Sequence, residues 1–315
     1  MYLLLFFFLQ FSLAQDYSKV DAIVAKYPKK FSSINDLAQK IKDDFTSEED
    51  RVRAAYYWVS NNISYDFKYL DSGKTPYKSI PDDHQYSSKL AKQKRKYANK
   101  CFSSKKAICE GYSLILNYIY KYLQIESIVI VGGTKQYTRK IGRVRSSSNH
   151  AWNAVRINNE WKLIDATWST GNSRKVPNKF DFSDEYFFTP PENFILTHYP
   201  DKKEWQFLKK TISKETFYYN PIFHGTYFNS GLKINQFHKG LIKIKDKKSI
   251  KLNFTEIDST RYYSYKFNNQ KFSNDLTFKR EKNSYFVDIP LPSKRPRELI
   301  IYDEIHGIIE FKLIP

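Results

Sequence analysis

The spacing of apolar and polar positions changes character along the chain. From Asp16 to Ile63 it is helical. Ser33-Ile34-Asn35-Asp36 opens one predicted helix, with Ile34, Leu37, Ala38 and Ile41 along one face. Ser47 before Glu48-Glu49-Asp50 opens another, a capping serine followed by acids on the positive end of the helix dipole. Its apolar stripe is Val52, Ala55, Tyr56, Val59 and Ile63. Between Lys68 and Lys106 aliphatic periodicity nearly vanishes, while eleven Lys and Arg stand against three acids. That stretch reads as a long exposed basic loop or flap. A further helix is predicted from about Ile108 to Leu123, with Ile108, Tyr112, Ile115, Leu116, Ile119 and Leu123 inward. Ile128 to Val131, closed by Gly132-Gly133, reads as a buried strand. Ala151 to Ile157 and Trp161 to Thr167 flank Asn158-Asn159-Glu160 as a hairpin.

Past about Thr216 the period becomes two. Alternating runs recur at Leu241 to Lys245, Ile250 to Phe254, Tyr262 to Phe267, Tyr285 to Ile289, Leu299 to Tyr302 and Ile308 to Leu313. Strands at this spacing, separated by Asn, Asp, Ser, Lys and Pro, predict a β-sandwich over 216–315. The expected class is therefore α+β over 15–215, with the basic flap at 68–106 inserted, followed by an all-β domain.

Composition narrows the function classes. Apolar residues at 41% supply a packed core, which excludes a disordered chain. After the first fourteen residues no apolar run reaches the ~18–20 residues that span a bilayer. Leu3 to Leu9 form a short apolar run, and Ser12 and Ala14 suit cleavage after Ala14, so 1–14 reads as a signal peptide and the expected location is periplasmic or extracellular. A net charge of +19 favours polyanions. Export turns that preference toward anionic cell-surface polymers and away from nucleic acid. The same charge also fits a plain abundance of lysine. Two cysteines are too few for a disulfide scaffold or a cysteine zinc site.

Chemistry concentrates at three positions. Cys109 lies at the predicted amino terminus of its helix, where unpaired N–H groups and the dipole favour a thiolate and those N–H groups can hold an oxyanion. Taken alone, a buried cysteine is also a common core residue. In the hairpin, a two-residue Asn158-Asn159 turn makes each pair sum to 317. His150 then falls opposite Thr167, diagonal to Asp165 on the same face, about 7 Å away between Cβ atoms. Asp165 in that register orients His150 and leaves its other ring nitrogen for the cysteine proton.

Ala107-Ile108-Cys109-Glu110-Gly111-Tyr112, Asn149-His150-Ala151-Trp152-Asn153 and Leu163-Ile164-Asp165-Ala166-Thr167-Trp168 resemble, in this order, the three core motifs of the transglutaminase-like superfamily. The Cys-Glu-Gly-Tyr form, Tyr65-Asp66, and Thr197-His198-Tyr199-Pro200 followed by Trp205-Gln206-Phe207-Leu208 are similar to a bacterial branch related to kyphoscoliosis peptidases. The resemblance covers about residues 45–210. It implies a papain-like fold, with Cys109 as nucleophile, His150 as general base and acid, and Asp165 as the orienting carboxylate. It further implies acyl transfer on protein or peptide amides through a thioester, resolved by an amine in cross-linking or by water in deamidation and peptide hydrolysis. No cofactor and no metal are implied. Tyr65 is the candidate second oxyanion donor, and Trp152 and Trp168 are candidate site walls, although packing alone accounts for the tryptophans equally well. His198 reads as a structural docking residue. Cys101 could pair with Cys109 in an inactivating disulfide. The rival reading is a non-catalytic cell-envelope binding or scaffold protein that keeps this fold.

Overall fold

Serine caps start the two long amino-terminal helices where the sequence marks them. α1 (Ser18–Val24), α2 (Ile34–Asp44) and α3 (Glu48–Asn62) follow one another, and the Ser33 and Ser47 hydroxyls each accept a backbone N–H, from Asp36 and Asp50, at 3.1 Å. The computed structural model describes residues 16–76, 84–171, 174, 180–235 and 239–315. The predicted leader at 1–14 lies outside the described residues. A two-residue strand, β1 (Ser64–Tyr65), leads into α4 (Phe67–Asp71), α5 (His84–Ser104), β2 (Lys106–Ala107) and α6 (Cys109–Tyr122). β1 and β2 pair in parallel, which fixes Tyr65 beside Ala107 and hence close to the start of α6.

The segment expected to be an exposed flap is instead largely helical. Among the described side chains of α5 the buried ones are Tyr97, Ala98, Cys101 and Phe102. They fall at helical spacing over the last two turns only, and they are aromatic or small where a periodicity reading looks for Leu, Ile and Val. Burial of that short stripe against α6 holds the helix, while its lysines stay in water.

β3 (Ser127–Thr134), β4 (His150–Ile157), β5 (Glu160–Ile164), β6 (Phe187–Thr189) and β7 (His198–Pro200) form an antiparallel sheet in the order β6-β5-β4-β3-β7. The β4–β5 hairpin has the predicted register, Ile157 with Glu160 through Asn153 with Ile164, across Asn158 and Asn159 at positive φ. Gly132-Gly133 do not end β3. A Cβ on Gly132 would meet the Tyr199 carbonyl oxygen and come within 2.7 Å of Trp152, so glycine here admits β7 rather than terminating its neighbour. α6 packs across β3 and β4, and its Ile115, Leu116 and Ile119 share one core with Trp58 and Val59 of α3. Arg53 on α3 is also 1% exposed, with Nε donating to Asp21 at 2.7 Å and Nη1 bonding Asp184. Tyr17, Phe182 and Phe187 ring its guanidinium.

After α7 (Pro191–Phe194) and α8 (Lys214–Tyr219) the chain is β-rich. The strands are β8 (Ile222–Phe223), β9 (Lys233–Ile234), β10 (Leu241–Lys243), β11 (Ser249–Glu256), β12 (Tyr263–Phe267), β13 (Asn274–Asp275), β14 (Lys279–Glu281), β15 (Ser284–Pro290), β16 (Glu298–Asp303) and β17 (His306–Ile314). They make two sheets, β10-β17-β16-β12-β13 with β8 beside β17, and β14-β15-β11-β9. Phe254 from one sheet and Phe267, Leu299, Ile301, Ile309 and Phe311 from the other fill a common core with no exposure. Residue 216 falls inside α8, whose Phe217 and Tyr218 pack with Ile195 and Tyr199. Among the described residues no helix is long and apolar enough to cross a membrane.

Candidate active site

Ile108 is extended and Cys109 is the first helical residue of α6, with no side-chain cap on the helix start. The β1–β2 pairing brings Tyr65 beside this helix start, where Cys109 influences its hydroxyl. Gly111 lets α5 close on this turn: a Cβ there would lie 2.7 Å from Ala107 Cβ and 2.9 Å from Cys101 Sγ. Cys101 is buried, and burial pushes its thiol up to about 11. Both cysteines are free thiols. Glu110, in the first turn, has its carboxyl pushed up to about 7 by burial.

His150 opens β4, with Cys109 near enough on one side to affect its titration. On the other, its Nε2–H donates to Asp165 Oδ2 at 2.6 Å. The route to this contact differs from the extended-hairpin argument. β5 stops at Ile164, the Asp165 N–H turns to the Tyr186 carbonyl, and His150 pairs with Gly132, not Thr167. Asp165 then heads a tight turn in which Oδ1 accepts the N–H of Thr167 at 2.8 Å and of Trp168 at 3.3 Å. Its Oδ2 takes a second histidine, the Nε2–H of His198, at 3.0 Å. All four acceptor positions of this carboxylate are occupied.

The sequence reading kept His198 as a docking residue; in the structure it is fully buried and bonded to the candidate carboxylate. Its Nδ1 meets the Thr197 hydroxyl at 2.7 Å. Phe194 stacks on the ring at 4.2 Å between centroids, Trp168 lies at 4.5 Å and Trp152 crosses it edge-on at 5.1 Å. The three-residue β7 offers no period to find it by; the Thr-His-Tyr-Pro stretch was the available signal.

The two histidines titrate in opposite directions. Burial works against a charged His150, but the Asp165 carboxylate, the bond to it and the nearby Cys109 outweigh it and raise the ring to about 10. For His198 burial wins over the Asp165 bond, the charge on His150 adds to it, and the ring drops to about 4. At neutral pH one imidazolium and one neutral imidazole therefore share a carboxylate. Burial opposes the charge on Asp165 too, yet His150 and the His198 bond hold its carboxyl well below the usual range.

Trp168 tilts over His150 at 5.5 Å and Trp152 stacks at 6.1 Å, so both named tryptophans wall the imidazole. His150, Asp165 and His198 also have the donor types of a metal site, their ligand atoms within 4.8 Å. Their Nε2 protons already point at Asp165 Oδ2, and a metal would require both nitrogens deprotonated, so this geometry fits a proton-bridged carboxylate better than a cation.

Residues 35–166 match the family described as the transglutaminase-like superfamily. The chain is 28% identical over 223 residues to mouse (Mus musculus) kyphoscoliosis peptidase, covering 69% of this chain and 30% of that protein. It is 27% identical to the human (Homo sapiens) protein over 224 residues, covering 69% and 31%. The chain thus spans less than a third of the length of these curated relatives. A solved TGase structure is similar at 23% identity and a TM-score of 0.29, over 55% of this chain and 42% of that one.

Proposed function

With residues 35–166 marking the chain as a member of the transglutaminase-like superfamily, we propose that it is an exported cysteine enzyme acting on protein or peptide amides through Cys109, His150 and Asp165. The observation that carries this reading is His150 bonded to an Asp165 whose four acceptor positions are filled, with Cys109 near enough to help raise the imidazole. Export draws on the apolar run at Leu3 to Leu9 and the small residues Ser12 and Ala14.

In this reading the Cys109 sulfur attacks the amide carbon and the carbonyl oxygen becomes an oxyanion. The Cys109 N–H turns to that oxyanion, and the Tyr65 hydroxyl, held beside the helix start by the β1–β2 pairing, supplies a second donor. His150, charged at neutral pH and tethered at Nε2, gives its Nδ1 proton to the departing nitrogen. The C–N bond breaks and a thioester remains. His150, now neutral, takes a proton from the incoming water or amine as it attacks the thioester, and the sulfur leaves. Asp165 keeps the ring oriented throughout.

The test is the rate of iodoacetamide alkylation against pH, located by mass spectrometry, for wild type, Cys101→Ala and His150→Ala. The expected result is fast labelling of Cys109 near neutral pH, unchanged in Cys101→Ala and lost in His150→Ala. Labelling that begins only above about pH 8.5, the range of an ordinary thiol, and ignores His150 would overturn the reading.

A further inference from the structure

Among the described residues, the first half of β3 is open on the side away from β4. Backbone direction follows from the bonds at its ends. The Glu126 and Gly132 carbonyls accept from β4 and the residue before it, whereas the Val131 carbonyl accepts from Asp201 on the opposite side. With a period of two, Ser127 and Val129 point their N–H and C=O groups outward with Val131. β7 pairs with Gly132 to Thr134 and Asp201 takes the Val131 carbonyl, so among the described residues no strand covers Ser127 to Ile130 there.

A groove of about 910 Å³ runs along this edge. Its walls stand on opposite faces of the sheet. Tyr118 of α6 belongs to the core that holds Val129, and Trp205 belongs to the cluster that holds Ile128 and Ile130. Its charge is one-sided: Lys92, Lys94, Arg95, Lys121 and Lys202 line it against a single acid, Asp201. An exposed edge is normally blunted by a bulge, a proline or a covering segment; this one lies at the base of a cationic cleft with an aromatic ring on each side.

We propose that this groove receives an extended acidic segment of a partner protein, added as a strand to β3. The outward N–H and C=O groups of Ser127 and Val129 supply main-chain bonds. Residues of the guest alternate toward Tyr118 and Trp205, and its carboxylates meet the lysines of α5 and α6. The groove fits about five residues of strand at this edge. The surface works without the chemistry at Cys109, so its success or failure is independent of the enzymatic reading.

The test uses the full chain as Cys109→Ala and a fluorescein-labelled ten-residue peptide of alternating valine and glutamate, followed by fluorescence anisotropy. The expected result is saturable binding at least tenfold tighter than that of the valine–lysine counterpart. Two versions of the acidic peptide, N-methylated on alternate amides, would separate strand addition from surface attraction. One set of amides faces β3 and its methylation abolishes binding; the other faces solvent and is tolerated. Lys92→Glu/Arg95→Glu/Lys202→Glu is expected to weaken binding tenfold or more. Lys243→Glu/Lys245→Glu/Lys247→Glu, which removes the same charge from the β-rich region, is expected to leave it unchanged. Equal binding of both methylated peptides, or equal loss in the two charge-reversed proteins, would overturn the proposal in favour of general attraction to a basic surface. So would the absence of binding by the unmethylated acidic peptide.

Discussion

His198 donates to the same oxygen of Asp165 that holds His150, from the opposite flank and inside an aromatic box. It does not reach Cys109 in this arrangement; its effect passes through the carboxylate, which makes it a positioning residue. A hydrogen bond to a charged group contributes about 1.5–3 kcal/mol, so its loss is expected to slow Cys109 alkylation by roughly tenfold to hundredfold in His198→Ala. His198→Gln keeps an N–H donor and is expected to recover part of the rate. Equal rates in the alanine and glutamine variants, at equal thermal stability, would assign His198 to packing alone.

Opposed titration of the two histidines sets a pH dependence with a definite sign. His150, raised from 6.5 to about 10, binds its proton more tightly folded than unfolded. Its contribution to stability is complete below pH 6.5 and is lost as pH rises through about 10. His198, lowered from 6.5 to about 4, is protonated first in the unfolded chain, so its contribution is present above 6.5 and is lost on acidification toward 4. Urea denaturation of wild type and His198→Gln at several pH values between 4 and 7 isolates the second slope as their difference. The gap between the two proteins is expected to narrow as pH falls. A constant gap would mean that His198 is not held neutral.

Tyr65 separates two chemistries at one sulfur. Alkylation by iodoacetamide develops no oxyanion, whereas acylation by p-nitrophenyl acetate does. Tyr65→Phe removes a hydroxyl that the β1–β2 pairing holds beside the start of α6. The expected outcome is unchanged alkylation and acylation slowed by about tenfold to a thousandfold, the scale of one oxyanion donor. Parallel loss of both rates would make Tyr65 a structural support of the helix start.

Arg53 ties α1 to the loop that carries Asp184 and leads to Tyr186, whose carbonyl holds the Asp165 N–H. Arg53→Ala leaves two acids, one of them largely exposed, without their shared cation and empties a site ringed by aromatics, at a cost of about 1.5–3 kcal/mol, the scale of hydrogen bonds to charged groups. Arg53→Lys is expected to recover little, because an ammonium cannot match the paired Nε and Nη2 bonds to Asp21. Thermal denaturation followed by circular dichroism checks both; a lysine variant as stable as wild type would contradict the bidentate account.

Local rules made much of this fold legible. Ser33 and Ser47 start their helices, Asn158-Asn159 sets the hairpin register, and the six alternating runs beyond Leu241 each become a strand. Where apolar content was sparse or contacts were distant, the reading failed. α5 hides behind lysines because its buried stripe is short and not aliphatic. Gly132-Gly133 signal a strand end by themselves, and only the arrival of β7, more than sixty residues later, explains why the strand continues. In the candidate site, Cys109, His150 and Asp165 stood out by motif; His150 and Asp165 are bonded in the structure, and Cys109 opens α6. His198 did not stand out, because its partner Asp165 is 33 residues away and its neutrality is made by surrounding rings.

Lys135 gives the β-rich region a stake in the sheet that carries His150. It is 4% exposed at the end of β3, and its Nζ donates to the carbonyls of Asn220 at 3.0 Å and Pro221 at 2.6 Å, just where the chain enters β8. Gly142 and Thr138 add bonds to Tyr218 and Glu298 across the same seam. A protein shortened at residue 216 would therefore strip Lys135 of the carbonyls it donates to and expose Ile195 and Tyr199 where Phe217 and Tyr218 had covered them. The half that carries Cys109 is expected to be recovered intact only when expressed together with the strands that follow it.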